Sequence, residues 1–379
     1  MTAIDGRTRA HTSGLTSPSS VKPHVEPHGG GWRRSTRRVM QTIVDDFVTL
    51  RCEPQLQAAG IGIACEVLRD SLDGGKCVRS LFMYLGWLSG GAEEDVAALR
   101  AAASLELLHT FALLQDDVMD GSDLRRGRPS GHVAFAGWHR RLQRRGQPDR
   151  FGESAAVLLG DLCLVWAAQM LRESGMTPTA LERVWPRYDA MRTELAVGQF
   201  ADLVNDAGEF PTLDRVLDVA RRKSGNYTVR RPLEMGAAMA GADQNVLTIL
   251  AGYGDAIGEA FQMRDDLLGI FGSPDVTGKP AGSDLIEQKA TSVVTAAYHL
   301  ADSTLRRQLR QLMNADDLDA DDVNRWRDLI AATGAVEWVE GLIAKRLTRA
   351  LTLIENDRIR PPVRNVLADM AAACTERTA

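Results

Sequence analysis

From about Trp32 onward, apolar residues return along the chain at helical spacing. Val39, Ile43, Phe47 and Leu50 fall three or four apart, which places them on one helix face. Val78 to Leu88 is a strongly apolar run. Ala97–Met119 is rich in Ala and Leu and nearly free of β-branched residues, a composition that favours a long helix. Further helical segments are predicted at about 153–174, 177–205, 213–240, 243–271, 284–302, 318–332, 334–355 and 361–374. Period-two alternation is almost absent, so strands are not expected. The breaks are short and carry Gly, Pro or Asp, except for Gly121–Gly152 and Gly272–Asp284, each of which follows an acidic helix end. Loops of that length in a helical protein are often functional lids. Residues 1–31 are rich in Ser, Thr, Pro, His and Gly without apolar periodicity and read as a disordered extension. The pattern predicts an all-α chain with one large helical domain over residues 32–379.

Composition narrows the function. The chain has 379 residues, 44% of them apolar, enough for a large core. A net charge of −5 gives no general attraction to nucleic acid or to anionic membranes. The five cysteines, Cys52, Cys65, Cys77, Cys163 and Cys374, are scattered without a CxxC pair. That argues against a disulfide framework or a zinc site and for a reducing compartment. The N-terminus lacks a signal-peptide apolar core, and no export segment follows Arg33-Arg34 or Arg37-Arg38. A cytoplasmic location without stable membrane insertion is the expectation.

Chemistry concentrates at the end of the Ala/Leu-rich segment. Asp116 and Asp120 are four apart, hence on one helix face at about 5–6 Å between Cβ atoms, with Asp117 beside them. Three such carboxylates repel one another unless a cation sits among them, and oxygen-only ligands suit Mg²⁺. Arg125, Arg126 and Arg128 follow at once, and arginine is the side chain best shaped to bind phosphate bidentately. A second pair, Asp265-Asp266, also ends a long apolar segment and runs into a Gly-rich loop carrying Lys279, Asp284 and Lys289. Helices packed side by side would set these carboxylates across a cavity, where metal ions could bridge to a diphosphate and neutralise it as a leaving group.

In this order the motifs resemble those of the trans-isoprenyl diphosphate synthases over about Asp73 to Thr291. The resemblance implies an all-α bundle around a deep central cavity, a homodimer, and isopentenyl and allylic diphosphates as substrates. It implies about three Mg²⁺ ions with substrate bound, replaceable by Mn²⁺. Carried over by position, Asp116, Asp120 and Asp265 resemble metal ligands, with Asp117 and Asp266 supporting them. Arg125 resembles the arginine that holds the allylic diphosphate and Arg126 one that holds isopentenyl diphosphate. Gly74-Gly75-Lys76-Cys77-Val78-Arg79 resembles the loop that places Lys76 and Arg79 at the isopentenyl diphosphate pocket, and His109 matches another residue of that pocket. Lys223, Ser224, Gln199, Asp202, Gln262 and Lys279 fall where the family has groups facing diphosphate or cation.

Four positions depart from the family pattern. Cys77 stands for an arginine, Ser80 for a proline, Gln115 for a histidine, and Gly269 for a third aspartate four residues after Asp265. Cys77 removes a phosphate clamp and Gly269 removes a carboxylate from the second motif. Phe111, five before Asp116, with the small Ala112 beside it, resembles the chain-length floor of short-chain synthases. Geranylgeranyl diphosphate is the first expectation and farnesyl diphosphate the second. Two alternatives remain at this level: a terpene cyclase-like lyase acting on a ready-made allylic diphosphate, and a non-catalytic subunit of a heteromeric synthase.

Overall fold

The computed structural model describes residues 29–206, 210–273, 282–315 and 317–376. Helix α1 (Gly29–Phe47) begins three residues before the anticipated boundary, and passes through a π-helical turn (Val48–Cys52) into α2 (Glu53–Ala58). Trp32 anchors it, fully buried and stacked on Tyr84 at 6.3 Å between ring centroids. Then come α3 (Gly62–Leu72), α4 (Val78–Ser89) and α5 (Val96–Met119). Asp95 caps α5 by accepting from Ala98 N at 3.0 Å, which satisfies one of the open amides of the first turn. Alanines and leucines bury α5 on nearly every side, as expected of a helix at the centre of a core.

The long loop expected at Gly121–Gly152 is largely ordered secondary structure. A two-residue hairpin pairs β1 (Leu124–Arg125) with β2 (Arg128–Pro129). Its turn residues, Arg126 and Gly127, both have positive φ (53° and 73°), the backbone of a tight primed turn. Helix α6 (Gly131–Arg141) follows, and α7 (Pro148–Arg172) begins several residues earlier than expected. These two strands correct the strand-free expectation, since elements this short carry no measurable alternation.

Helices α8 (Pro178–Asp206), α9 (Leu213–Ala220), α10 (Arg231–Ala240) and α11 (Gln244–Phe271) complete the first half of the bundle. Between α9 and α10 the expected helix is π-helical over Arg221–Arg230. Beyond α11 lie α12 (Ser283–Ile286), α13 (Ser292–Leu300), α14 (Ser303–Met313), α15 (Ala320–Ala332), α16 (Ala335–Ile354) and α17 (Pro361–Thr375). The segment expected at 284–302 is interrupted at residues 287–291, and α14, rich in Arg and Gln, was not anticipated.

Among the described residues the protein is all-α apart from the hairpin. A large apolar core gathers α1–α8, α10, the first half of α11, the end of α16 and α17, and a smaller one gathers the second half of α11 with α12–α16. Helices α11 and α16 therefore belong to both. Glycine permits a close crossing beside the site: a Cβ on Gly258 of α11 would lie 2.6 Å from the Gly225 carbonyl oxygen. That crossing presses the π-helical segment against α11 and aims Lys223 and Ser224 inward.

Candidate active site

The end of α5, the end of α11 and the π-helical segment surround one cavity of about 790 Å³. From α5 it receives His109, Leu113 and Asp116, which lie on a single helix face. From α11 it receives Gln262, Asp265, Asp266 and Gly269. Asp116 of the first acidic motif and Asp265-Asp266 of the second thus line the same space, while Asp117 and Asp120 are not part of its lining.

The α5 carboxylates are already paired with positive charge. Lys223 Nζ lies 2.7 Å from Asp202 Oδ2 and 3.3 Å from Asp116 Oδ1. Burial works to lower the Lys223 pKa, but Asp116 and Asp202 outweigh it and the net shift is upward. Lys289 Nζ spans from the segment after α12 to Asp120 Oδ2 at 2.7 Å and to Glu287 Oε2 at 2.8 Å. Burial opposes its charge too, and Asp120 and Glu287 reverse the sign.

The neighbouring aspartates have other work. Asp117 is buried and accepts from Arg125 Nε at 2.9 Å, and from a guanidinium nitrogen of the same arginine. It fixes Arg125 at the cavity rim. Asp266 accepts from Gln262 Nε2 at 2.7 Å, Ser292 N at 2.9 Å and Ser292 Oγ at 2.5 Å. Burial raises its pKa, only partly offset by the Ser292 and Gln262 bonds. It ties the end of α11 to the start of α13.

The other rim is basic. Lys76 and Arg79 line the cavity on the Gly74–Arg79 loop. The Arg79 guanidinium stacks 4.4 Å above the Tyr227 ring, and its Nε has no hydrogen-bond partner. Arg126 is held by the carbonyls of Ser71 and Asp73. Burial, followed by Arg125, lowers its pKa, so bringing an anion to this rim relieves repulsion between two guanidinium groups. Burial, then Arg79, Arg126 and Arg125, holds the His109 imidazole well below its usual range. The histidine is therefore neutral, and its Nδ1 is unpartnered.

Not every expected residue faces this space. Gln199 on α8 donates to Met119 Sδ at 3.6 Å and is not part of the cavity lining. Phe111 and Ala112 are half-buried against the larger core, whereas Leu113 lines the cavity. Lys279 lies outside the described residues. Cys77 is buried in a left-handed backbone conformation with its Sγ near the Gly75 carbonyl. Sequence reasoning passed over Glu106, a buried carboxylate behind the Gly74–Arg79 loop that accepts from Ser80 Oγ at 2.6 Å. It also passed over Asn205 and Thr228, buried in the lining with side-chain oxygens lacking partners. A glutamate in an Ala/Leu-rich helix gives no signal until the opposing loop is placed.

An all-α bundle whose cavity has carboxylates on two walls and guanidinium groups at the rim defines a class of diphosphate-handling helical proteins. The polyprenyl synthetase model matches residues 63–330, and the chain belongs to that family. It is 33% identical over 290 residues to geranylgeranyl diphosphate synthase of Mycobacterium tuberculosis, covering 76% of this chain and 77% of that one. Over 285 residues it is 31% identical to geranylfarnesyl diphosphate synthase of Aeropyrum pernix, covering 74% and 83%. A solved geranylgeranyl pyrophosphate synthase from Corynebacterium glutamicum, complexed with isoprenyl diphosphate and magnesium, superposes with a TM-score of 0.85. It shares 36% identity and covers 90% of this chain and 99% of that one.

Proposed function

We propose that the protein is a short-chain prenyltransferase that joins isopentenyl diphosphate to an allylic diphosphate, with geranylgeranyl diphosphate as the product. The observation that carries this reading is the single cavity bounded by Asp116 on α5 and Asp265 on α11, with Lys76, Arg79, Arg125 and Arg126 around it. Carboxylates on two walls and one basic rim suit two diphosphates with their cations. Among the described residues no group of three acidic, histidine or cysteine side chains is placed to hold a metal ion by itself. Mg²⁺ takes one or two carboxylates and completes its shell with water and phosphate oxygens. Asp116, Asp120 and Asp265 would hold it, and when bound it supplies charge neutralisation for the departing diphosphate.

The chain's own groups do the rest. Lys223 and Lys289 stand beside the motif carboxylates, positioned to follow the negative charge onto the leaving group as the C–O bond ionises. Arg125, oriented by Asp117, holds the allylic diphosphate, with Ser224 and Gln262 beside it. Arg126, Arg79, Lys76 and neutral His109 hold isopentenyl diphosphate, so that a wall position lost at Cys77 leaves four groups in place. Gln199 and Lys279 are proposed as further substrate-binding groups on the ground of sequence position alone, and Phe111 with Ala112 as the chain-length determinant.

The proposed assembly is a homodimer. Helix α7 buries Gly152, Ala156, Leu159, Cys163 and Trp166, yet exposes Phe151, Leu158 and Val165 seven residues apart on its other face. Five buried free cysteines support a reducing, cytoplasmic setting. The deciding experiment incubates purified protein with Mg²⁺, isopentenyl diphosphate and dimethylallyl, geranyl or farnesyl diphosphate, and identifies the products. Elongated diphosphates support the proposal. Hydrocarbons or alcohols from the allylic substrate alone, or no turnover, would overturn it.

A further inference from the structure

The chain as a whole carries a net charge of −5, yet one corner of it is strongly basic. Between residues 138 and 150, where α6 turns into α7, five arginines stand against a single acid, Asp149. All five arginines are exposed. Arg140 pairs with Asp149, which leaves Arg141, Arg144, Arg145 and Arg150 as excess charge. Leu142, directly after α6, is 50% exposed between the pairs Arg140-Arg141 and Arg144-Arg145. A lone exposed leucine is ordinary, but one flanked by guanidinium groups has the make-up of an interfacial contact.

The turn is built rather than slack. Leu142 N donates to the Trp138 carbonyl and Arg144 N to the His139 carbonyl, both at 3.2 Å. Buried His139 donates from Nε2 to the Arg145 carbonyl at 3.0 Å. Beneath the turn Trp138 stacks on Phe151 at 5.8 Å between ring centroids, and the Arg144 guanidinium lies 5.1 Å from the Trp138 ring centre. The turn also projects. A Cβ on Gly175, just past α7, would lie 3.5 Å from Ala97 Cβ at the start of α5, and one on Gly160 would lie 3.2 Å from Gln115 Nε2, next to Asp116. The two helices therefore run antiparallel. From Gly160 back to Pro148, about 18 Å of α7 continues past the level of Asp116. The basic turn stands out at the same end of the bundle as the first acidic motif.

We propose that the α6–α7 turn is a docking surface for an anionic phospholipid bilayer. The guanidinium groups bind headgroup phosphates, and Leu142 enters the boundary between headgroups and acyl chains. A bilayer fits better than nucleic acid because the apolar side chain sits amid the charge, where a polyanion has no partner for it. The contact lies on the membrane without crossing it and sets the cavity end of the bundle towards the lipid surface. It stands independently of the chemistry proposed for the cavity.

The test is co-sedimentation of the full chain with vesicles of phosphatidylcholine and phosphatidylglycerol, beside vesicles of phosphatidylcholine alone. The parent is expected to bind only the anionic vesicles and to be released as salt screens the charges. Arg141→Gln/Arg145→Gln is expected to weaken binding by about 10-fold or more. Leu142→Ser is expected to weaken it by about 3-fold to 10-fold at the same salt. Both variants should melt and turn over soluble substrates like the parent, because the substituted side chains are exposed and line no part of the cavity. Leu142→Trp gives a readout that charge alone does not move: its added fluorescence should shift to the blue on anionic vesicles and be quenched by brominated acyl chains. A parent that ignores the anionic vesicles overturns the inference, as do arginine variants that bind like the parent. Equal binding of parent and Leu142→Ser, with a DNA duplex displacing the vesicles, assigns the turn to nucleic acid and overturns it too.

Discussion

At the scale of single residues, the cavity separates groups that meet ligand from groups that hold them. Asp116 and Asp120 pair directly with Lys223 and Lys289, whereas Asp117 fixes Arg125. Replacing Asp116 or Asp120 by Ala is expected to lower turnover by about 10²-fold to 10⁴-fold, because charge stabilisation of the leaving group is the main catalytic term. Steady-state rates with isopentenyl and geranyl diphosphates check this, and near-parent rates in both variants would sink the assignment. His109 adds a pH signature. Its folded pKa is depressed, so its contribution to stability is present above the ordinary histidine range and is lost as pH falls below about 6.5. Melts of the parent and His109→Gln between pH 7.5 and 5 should diverge by at most about 1.4 kcal/mol per pH unit, with the parent steeper. Product length is the third residue-scale expectation. Phe111→Ala should give longer products than the parent. Unchanged products there, with longer ones from Leu113→Ala, would move the floor to the residue that lines the cavity.

At the scale of elements, the π-helical segment Arg221–Arg230 is what sequence periodicity did not disclose. Its residues keep helical spacing, so the extra residue per turn leaves no mark in a hydrophobic pattern. The signal lay instead in paired glycines on separate elements, Gly225 and Gly258, whose backbones meet where no side chain fits. Gly258→Ala drives a methyl group against backbone rather than a flexible side-chain tip. It is expected to cost about 1–3 kcal/mol of stability and to move Lys223 away from Asp116, lowering activity beyond what the melt alone explains. A parent-like melt and rate would show that the crossing tolerates separation. The same contrast runs through the whole candidate site. Asp116, Asp120, Asp265, Arg125 and Arg126 were legible because their chemistry clusters within a few positions of a helix end. Glu106, Asn205, Thr228 and the close approach of Asp284 to Gly269 were not, because each depends on elements brought together from separate parts of the chain. The hairpin at Leu124–Pro129 was missed for a different reason. Its two-residue strands are specified by the turn at Arg126-Gly127, and an arginine at positive φ is not a residue from which a tight turn is read.

At the scale of the molecule, the question is what covers α7. Its inner face packs along α5, the helix that carries Asp116, so whatever fixes α7 also steadies the wall of the cavity. Its outer face leaves Leu158 and Val165 more than half exposed, with Phe151 one heptad earlier. The helix is long and apolar enough to cross a membrane by composition, yet its inner half is committed to the core. A second copy presenting the same stripe is the simplest cover, because a two-fold contact pairs one apolar face with itself. Leu158→Glu/Val165→Glu places two carboxylates at the centre of that contact and touches no cavity residue. Sedimentation equilibrium is expected to show a parent dimer and a monomeric variant at the same concentration. The variant should also lose activity, since α7 would be released from its outer support while the residues around Asp116 remain unaltered. A variant that stays dimeric would place the contact on another face. One that becomes monomeric with full activity would show that each chain builds its cavity alone.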